Sequence, residues 1–141
     1  ALAGKDLLYI SKIASSMKPS VVASVTSEVQ IRALSKLSGG IDAISLSNRY
    51  LETFAFDNTG AQVLDLLSSD ALKEYKEKNP ETVVLVEGRV GIIEIEDGKG
   101  DKSASLYIEA LKSAGAMGAF VGGGLANIKD GGVGDYLKSF K

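Results

Sequence analysis

Ile41-Asp42-Ala43-Ile44-Ser45-Leu46, followed at once by Ser47-Asn48-Arg49-Tyr50-Leu51-Glu52-Thr53-Phe54, is the stretch on which the fold turns. Its first six residues are a short, mostly apolar run without helical spacing, which predicts a strand over 41–46. The residues after it are largely polar or charged, as a loop leaving a strand should be. Moving outward, strand and helix signals keep alternating. Val21-Val22-Ala23-Ser24-Val25 predicts a strand, and Ser27 is a candidate N-cap for a helix to Leu37 with Gly39-Gly40 as its terminator. Upstream, Leu7, Ile10, Ile13, Ala14 and Met17 recur at helical spacing over 6–17, and Pro19 stops that helix. Downstream, Asn58 or Thr59 is a candidate cap for a helix over 61–67. A further helix over 71–78 ends before Pro80, and 82–86 is a third strand. Leu106, Tyr107, Ala110 and Leu111 give the apolar face of a helix over 102–114. A fourth strand at 119–121 and a short helix at 135–140 close the chain.

The strands are near-continuous apolar runs, the pattern of parallel strands covered on both faces. Repeated strand-then-helix units imply right-handed crossovers and an α/β fold. No linker splits the 141 residues into two domains. Glycines cluster at Gly39-Gly40, Gly98–Gly100, Gly122–Gly124 and Gly131–Gly134, between elements. The segment 90–100 does not fit the alternation. It reads either as a surface excursion, with a small extra strand and turn, or as a functional loop.

Composition removes many functions. The chain has no Cys and no His. That excludes a disulfide framework, a thiol nucleophile, Ser-His-Asp catalysis and His-ligated zinc or haem within it. Any general acid or base must be Asp, Glu, Lys or Tyr, or lie on another chain. A net charge of −2 argues against nucleic-acid binding through bulk charge. No apolar run approaches the ~20 residues needed to span a bilayer. Neither a P-loop nor an EF-hand is present, although Asp97 and Asp101 flank a Gly-Lys-Gly turn. The five tyrosines are scattered and read as packing residues rather than a stacking platform. No cofactor is expected.

The string Ser47–Phe54 resembles the Asn-Asn-Arg-Asn/Asp-Leu-Glu-Thr-Phe signature after the sixth strand of the indole-3-glycerol-phosphate synthase family. Lys18–Ile31 is similar to that family's fifth strand and following helix, Val83–Glu87 to its seventh strand, and Ala114–Leu125 to the segment around its eighth. The resemblance implies a fold: units five to eight of a TIM (β/α)8 barrel. The alternative is a small flavodoxin-like open sheet with a ligand at a switch point. Half a barrel would leave two unpaired strand edges and an apolar interior face. The resemblance therefore also implies that residues 1–141 pair with a missing N-terminal half-barrel or with other protein chains.

The family's active site lies at the C-terminal strand ends, so the implied positions can be read one by one. Ser24 stands where the family has a catalytic Glu. Ser47 stands at its substrate-contacting Asn, with Asn48 one residue away. Arg49 matches the Arg that contacts the substrate carboxylate, and a guanidinium suits an anion. In Glu87-Gly88-Arg89 the Glu of the family's Glu-Ser-Gly is kept and the Ser is lost. Gly122 is retained from the family's strand-eight turn and Gly123 replaces its usual polar residue; the resemblance implies that Gly122, Gly123 and Gly124, before a short helix, place backbone N–H groups around a phosphate. Each has a plainer alternative. Glu87 could pair with Arg89 or a lysine, Arg49 could be a solvated surface residue, and the glycines could form a tight turn requiring positive φ.

Two functions follow. The resemblance implies either a diverged, non-catalytic barrel relative acting as a binding or structural subunit, or a fragment of an active synthase of tryptophan biosynthesis. In the second case the chain belongs to a carbon–carbon lyase, with Glu87 as its catalytic residue. The candidate ligand is a phosphate-bearing small molecule. The expected compartment is intracellular, with a plastid implied by the family's eukaryotic members.

Overall fold

The computed structural model describes residues 4–17, 20–37, 41–50, 52–126, 132–138 and 140. Pro19, Gly39, Gly40, Leu51 and Gly131, singled out above, lie outside the described residues. In chain order the elements are α1 (Gly4–Met17), β1 (Val22–Val25), α2 (Glu28–Leu34), β2 (Ala43–Ser47), α3 (Ala61–Ser68), α4 (Asp70–Lys78) and β3 (Val83–Glu87). There follow β4 (Ile95–Glu96), β5 (Lys102–Ser103), α5 (Ala104–Ser113), β6 (Gly118–Ala119), α6 (Gly123–Ala126) and α7 (Val133–Lys138).

Four strands form one parallel sheet in the order β1-β2-β3-β6. The expected α/β class with parallel β/α units is therefore present. The order never reverses, and a switch point requires a reversal. A flavodoxin-like arrangement is thus absent from the described strands. Among them, β1 and β6 each have a neighbour on one side only, so the sheet is open at both edges.

Register sorts the side chains into two faces. Val25, Ile44, Leu46, Val84 and Val86 join Ile31 and Leu34 of α2, Val63, Leu66 and Leu67 of α3, Leu72 and Tyr75 of α4, and Tyr107, Ile108 and Leu111 of α5 in one core. Alternate residues point the other way. Ser24 pairs across to Ser45, Ser45 to Leu85, and Ser47 to Glu87. This second face is therefore not uniformly apolar, as the inner face of half a barrel was expected to be, and its central residues Ala43, Ser45 and Ser47 are buried. Val22, Ala43, Val83 and Leu85 are joined on it by Ser24, Ser45, Ser47 and Glu87.

Local chemistry explains several boundaries. α2 stops at Leu34, short of the expected Leu37, and its last residues tighten into a turn. Ser27 sits at its N-cap with extended backbone, but its side chain makes no capping bond. Lys102 and Ser103 were expected in a helix; instead they pair antiparallel with Glu96 and Ile95. The Ser103 hydroxyl then accepts from the Ser105 N–H and starts α5 at Ala104. The 90–100 segment is thus an excursion with a small hairpin, as its plainer reading expected. Val90 and Ile93 anchor it in the core. At its tip, Asp97 Oδ1 accepts from the Lys99 and Asp101 N–H groups, an Asx-type turn. Tyr75 and Tyr107 are core residues, as expected for packing tyrosines. No helix among the described residues is long and apolar enough to cross a membrane.

Candidate functional site

Parallel strands end together, so the residues at their C-terminal ends converge. A cleft of about 380 Å³ opens there, lined by Ser24, Thr26, Ser47, Arg49, Phe56, Glu87, Gly88, Arg89, Phe120, Gly122 and Gly123. Ser47, Arg49, Glu87, Gly122 and Gly123, singled out from sequence, all meet in it. They come from β2, β3 and the segment after β6, which are up to 76 residues apart in sequence (47 to 123).

Glu87 closes β3 opposite Ser47. Its carboxylate accepts a hydrogen bond from the Ser24 hydroxyl across β2. Glu87 is therefore held by Ser24 rather than by Arg89 or a lysine. Ser45 lies one step below, on the same face. It is fully buried, and its Oγ is the one buried side-chain polar atom without a hydrogen-bond partner among the described residues. The Ser47 hydroxyl accepts from the Arg49 N–H at 3.2 Å and turns the chain out of β2.

Arg49 then pairs with Phe56 in an isolated antiparallel bridge. Its guanidinium carbon sits 4.4 Å from the centre of the Phe56 ring. Arg89 approaches the same ring at 5.8 Å, and its Nη1 donates to Asn58 Oδ1 at 2.6 Å. Each contact falls within cation–π range. With Glu87, the cleft carries two fixed positive charges and one carboxylate. No ion pair among the described residues engages either arginine.

Asn48 is not part of this cleft. It is 0% exposed and turned into the helix layer. Its Nδ2 donates to the Gly88 carbonyl at 3.2 Å and to the Tyr107 hydroxyl at 2.9 Å, while its Oδ1 accepts from the Val63 N–H at 3.2 Å. The side-chain alternation of a strand explains this: Ser47 faces the cleft, so its neighbour faces the core. Asn48 is consumed by structure and cannot contact a ligand in the cleft.

Asp57 has a similar structural task. Burial pushes its carboxyl up, but the Gln62 N–H, the Thr59 hydroxyl and N–H, and the Ala61 N–H together hold it below the usual carboxylate value. It caps the start of α3, where Gly60 offers no side chain. Thr59, one of the two expected caps, accepts from the Ala61 N–H. Neither Asp57 nor its role was legible beforehand.

Gly122 and Gly123 do not have positive φ, so the tight-turn alternative does not account for them. A Cβ at Gly122 would meet nothing within 4 Å. Gly124 lies within the single turn of α6. Positive φ appears instead at Gly88, +88°, and at Arg89, +60°. Arg89 also lines the cleft, although the sequence suggested only a partner for Glu87.

No family model and no solved structure matches this chain. The cleft presents two guanidinium groups and the Ser47 hydroxyl to an anion, the Ser24 and Thr26 hydroxyls being donated to Glu87 and Gln30. Among its lining residues, Glu87 is the sole carboxylate. No cluster of metal-ligating side chains exists among the described residues.

Proposed function

We propose that the chain is a diverged, non-catalytic relative of the indole-3-glycerol-phosphate synthases, equivalent to units five to eight of a (β/α)8 barrel. It serves as a binding or structural subunit of a larger assembly. Its cleft binds a phosphate-bearing small molecule. Its two open sheet edges receive the first half of such a barrel or other protein chains. Support for the barrel half comes from the unreversed strand order and the core packed on one face of the sheet.

One observation carries the loss of catalysis. Ser24 stands where a second carboxylate would stand, and its hydroxyl is spent on Glu87. Ring closure with loss of carbon dioxide and water needs both a proton donor and a proton acceptor. The lining residues supply Glu87 alone for that purpose. What remains is a net positive cleft suited to an anion.

Turnover of the anthranilate-derived deoxyribulose phosphate by the full-length protein is the test. The expected result is binding without product. Arg49 and Glu87 lining one cleft with Gly122 and Gly123 favours the second reading, a fragment of an active carbon–carbon lyase. Product formation that disappears in Glu87→Gln would establish that reading and overturn the first.

A further inference from the structure

We propose that Arg89 and Arg49 form a two-guanidinium clamp, mounted on the Phe56 ring, that selects doubly charged oxyanions over singly charged ones. The inference rests on the anion-binding reading of the cleft. It adds the residue that sets its charge preference.

Arg89 occupies a position for which the resembled Glu-Ser-Gly pattern offers no cation. Its backbone stands at φ +60°, a region that side-chain-bearing residues rarely adopt. Glycine would hold this turn without strain, and Gly88 immediately before it already does so at +88°. An arginine kept in this conformation directs a guanidinium to a place that glycine would leave empty. Strain of this kind concentrates at ligand clamps.

The guanidinium is also held in place. Asn58 Oδ1 accepts from Nη1, which leaves the other N–H groups of Arg89 for a ligand. Phe56 presents its ring to Arg49 as well, so two like charges are gathered on one aromatic side chain. A ring offsets only part of their mutual repulsion, and neither cation is in an ion pair among the described residues. The nearest lining carboxylate, Glu87, already accepts from Ser24. Glu87 leaves the cleft with a net single positive charge, but its carboxylate is tied to Ser24 and occupies neither guanidinium fork. A phosphoryl or sulfate group has oxygens on several sides and can meet both forks at once, which a singly charged carboxylate cannot do as fully.

The experiment compares sulfate, inorganic phosphate, glycerol phosphate and acetate as probes. Binding to the full-length protein is followed by NMR at constant ionic strength, slightly above neutral pH, using the Phe56 ring and the arginine side-chain N–H signals. The wild type is expected to bind the three dianionic probes at least about tenfold more tightly than acetate. In Arg89→Gly, which suits the left-handed backbone and so keeps the fold, that preference is expected to shrink to about threefold or less. Thermal melting of the variant checks that the fold is kept. Arg89→Lys keeps the charge without the fork and should fall between the two. Tighter glycerol phosphate than inorganic phosphate would identify a phosphate ester as the ligand; equal binding would identify the free ion. If Arg89→Gly binds anions with an unchanged preference, the clamp is wrong while the anion-binding reading stands. If no probe binds the wild type, both are wrong.

Discussion

Replacing Asn48 by Ala should unfold the protein more readily than any substitution in the cleft beside it. The side chain makes three hydrogen bonds at 0% exposure. Truncation leaves the Val63 N–H without an acceptor. That N–H is one of the free donors of the first turn of α3, for which Gly60 supplies no cap. It also strips the Gly88 carbonyl of its side-chain donor, while the Tyr107 hydroxyl still donates to the Gly60 carbonyl. Two stranded buried groups at about 1–3 kcal/mol each, and a small cavity, give about 3–5 kcal/mol. That is a large share of the ~5–15 kcal/mol that holds a typical domain. Urea unfolding followed by circular dichroism measures it, with the slope expected to stay unchanged. Asn48→Asp keeps the acceptor for Val63 but buries a carboxylate whose second oxygen faces the Gly88 carbonyl, and should cost at least as much as Asn48→Ala. A loss below about 1 kcal/mol, together with weakened anion binding, would refute the reasoning and return Asn48 to the ligand site.

Three further outcomes are expected. Gly60→Ala should destabilise by about 2–4 kcal/mol, because Gly60 stands at φ +72° and a Cβ there would lie 2.5 Å from Tyr107 Cε2; thermal melting checks this. Ser45→Ala should be neutral or stabilising by up to about 1 kcal/mol, since it removes a buried hydroxyl without a partner, and a clear loss in urea unfolding would show that Oγ is bonded in solution. Burial pushes the phenols of Tyr75, Tyr107 and Tyr136 up. Their folded values lie above the unfolded one, so their contribution is complete below about pH 10 and is lost as pH rises through the folded values. With the exposed Tyr9 and Tyr50 replaced by Phe, tyrosinate absorbance, unobscured in a chain without Trp, should therefore rise together with alkaline unfolding rather than before it.

The four principal strands were legible because β-branched runs such as Val21-Val22 and Val83-Val84 have few other uses in so short a span. β2 lay slightly later than expected, at Ala43–Ser47, and that shift decides which side chains enter the cleft. Ser47 faces the ligand space and Asn48 the core, a distinction of one residue that a strand's two-residue period makes absolute. Composition alone could not assign it. Lys102-Ser103 carried a helical pattern, yet their pairing with Ile95-Glu96 is a tertiary fact invisible to local spacing. Arg49, Glu87, Gly122 and Gly123 were singled out through the resemblance to the synthase motifs, and they line one cleft because strand ends in a parallel sheet share one rim. Arg89 was underread because the signal that marks it is a backbone angle. Asp57 was missed because its capping partners Thr59 and Gln62 follow a loop whose course depends on the Arg49–Phe56 bridge.

The unreversed order β1-β2-β3-β6 also bears on how the chain is made. As a ribosome releases it from the N-terminus, every new strand of this sheet finds its docking edge on the sheet strand that precedes it in sequence. None has to wait for a later strand to be laid down on the far side, as the inner strand of a doubly wound sheet must. Each helix can then settle over the pair beneath it before the next strand emerges. Such vectorial growth keeps the exposed parallel edge confined to the newest strand and one founding strand throughout synthesis, which limits the time that partly built intermediates present pairing surfaces to other chains.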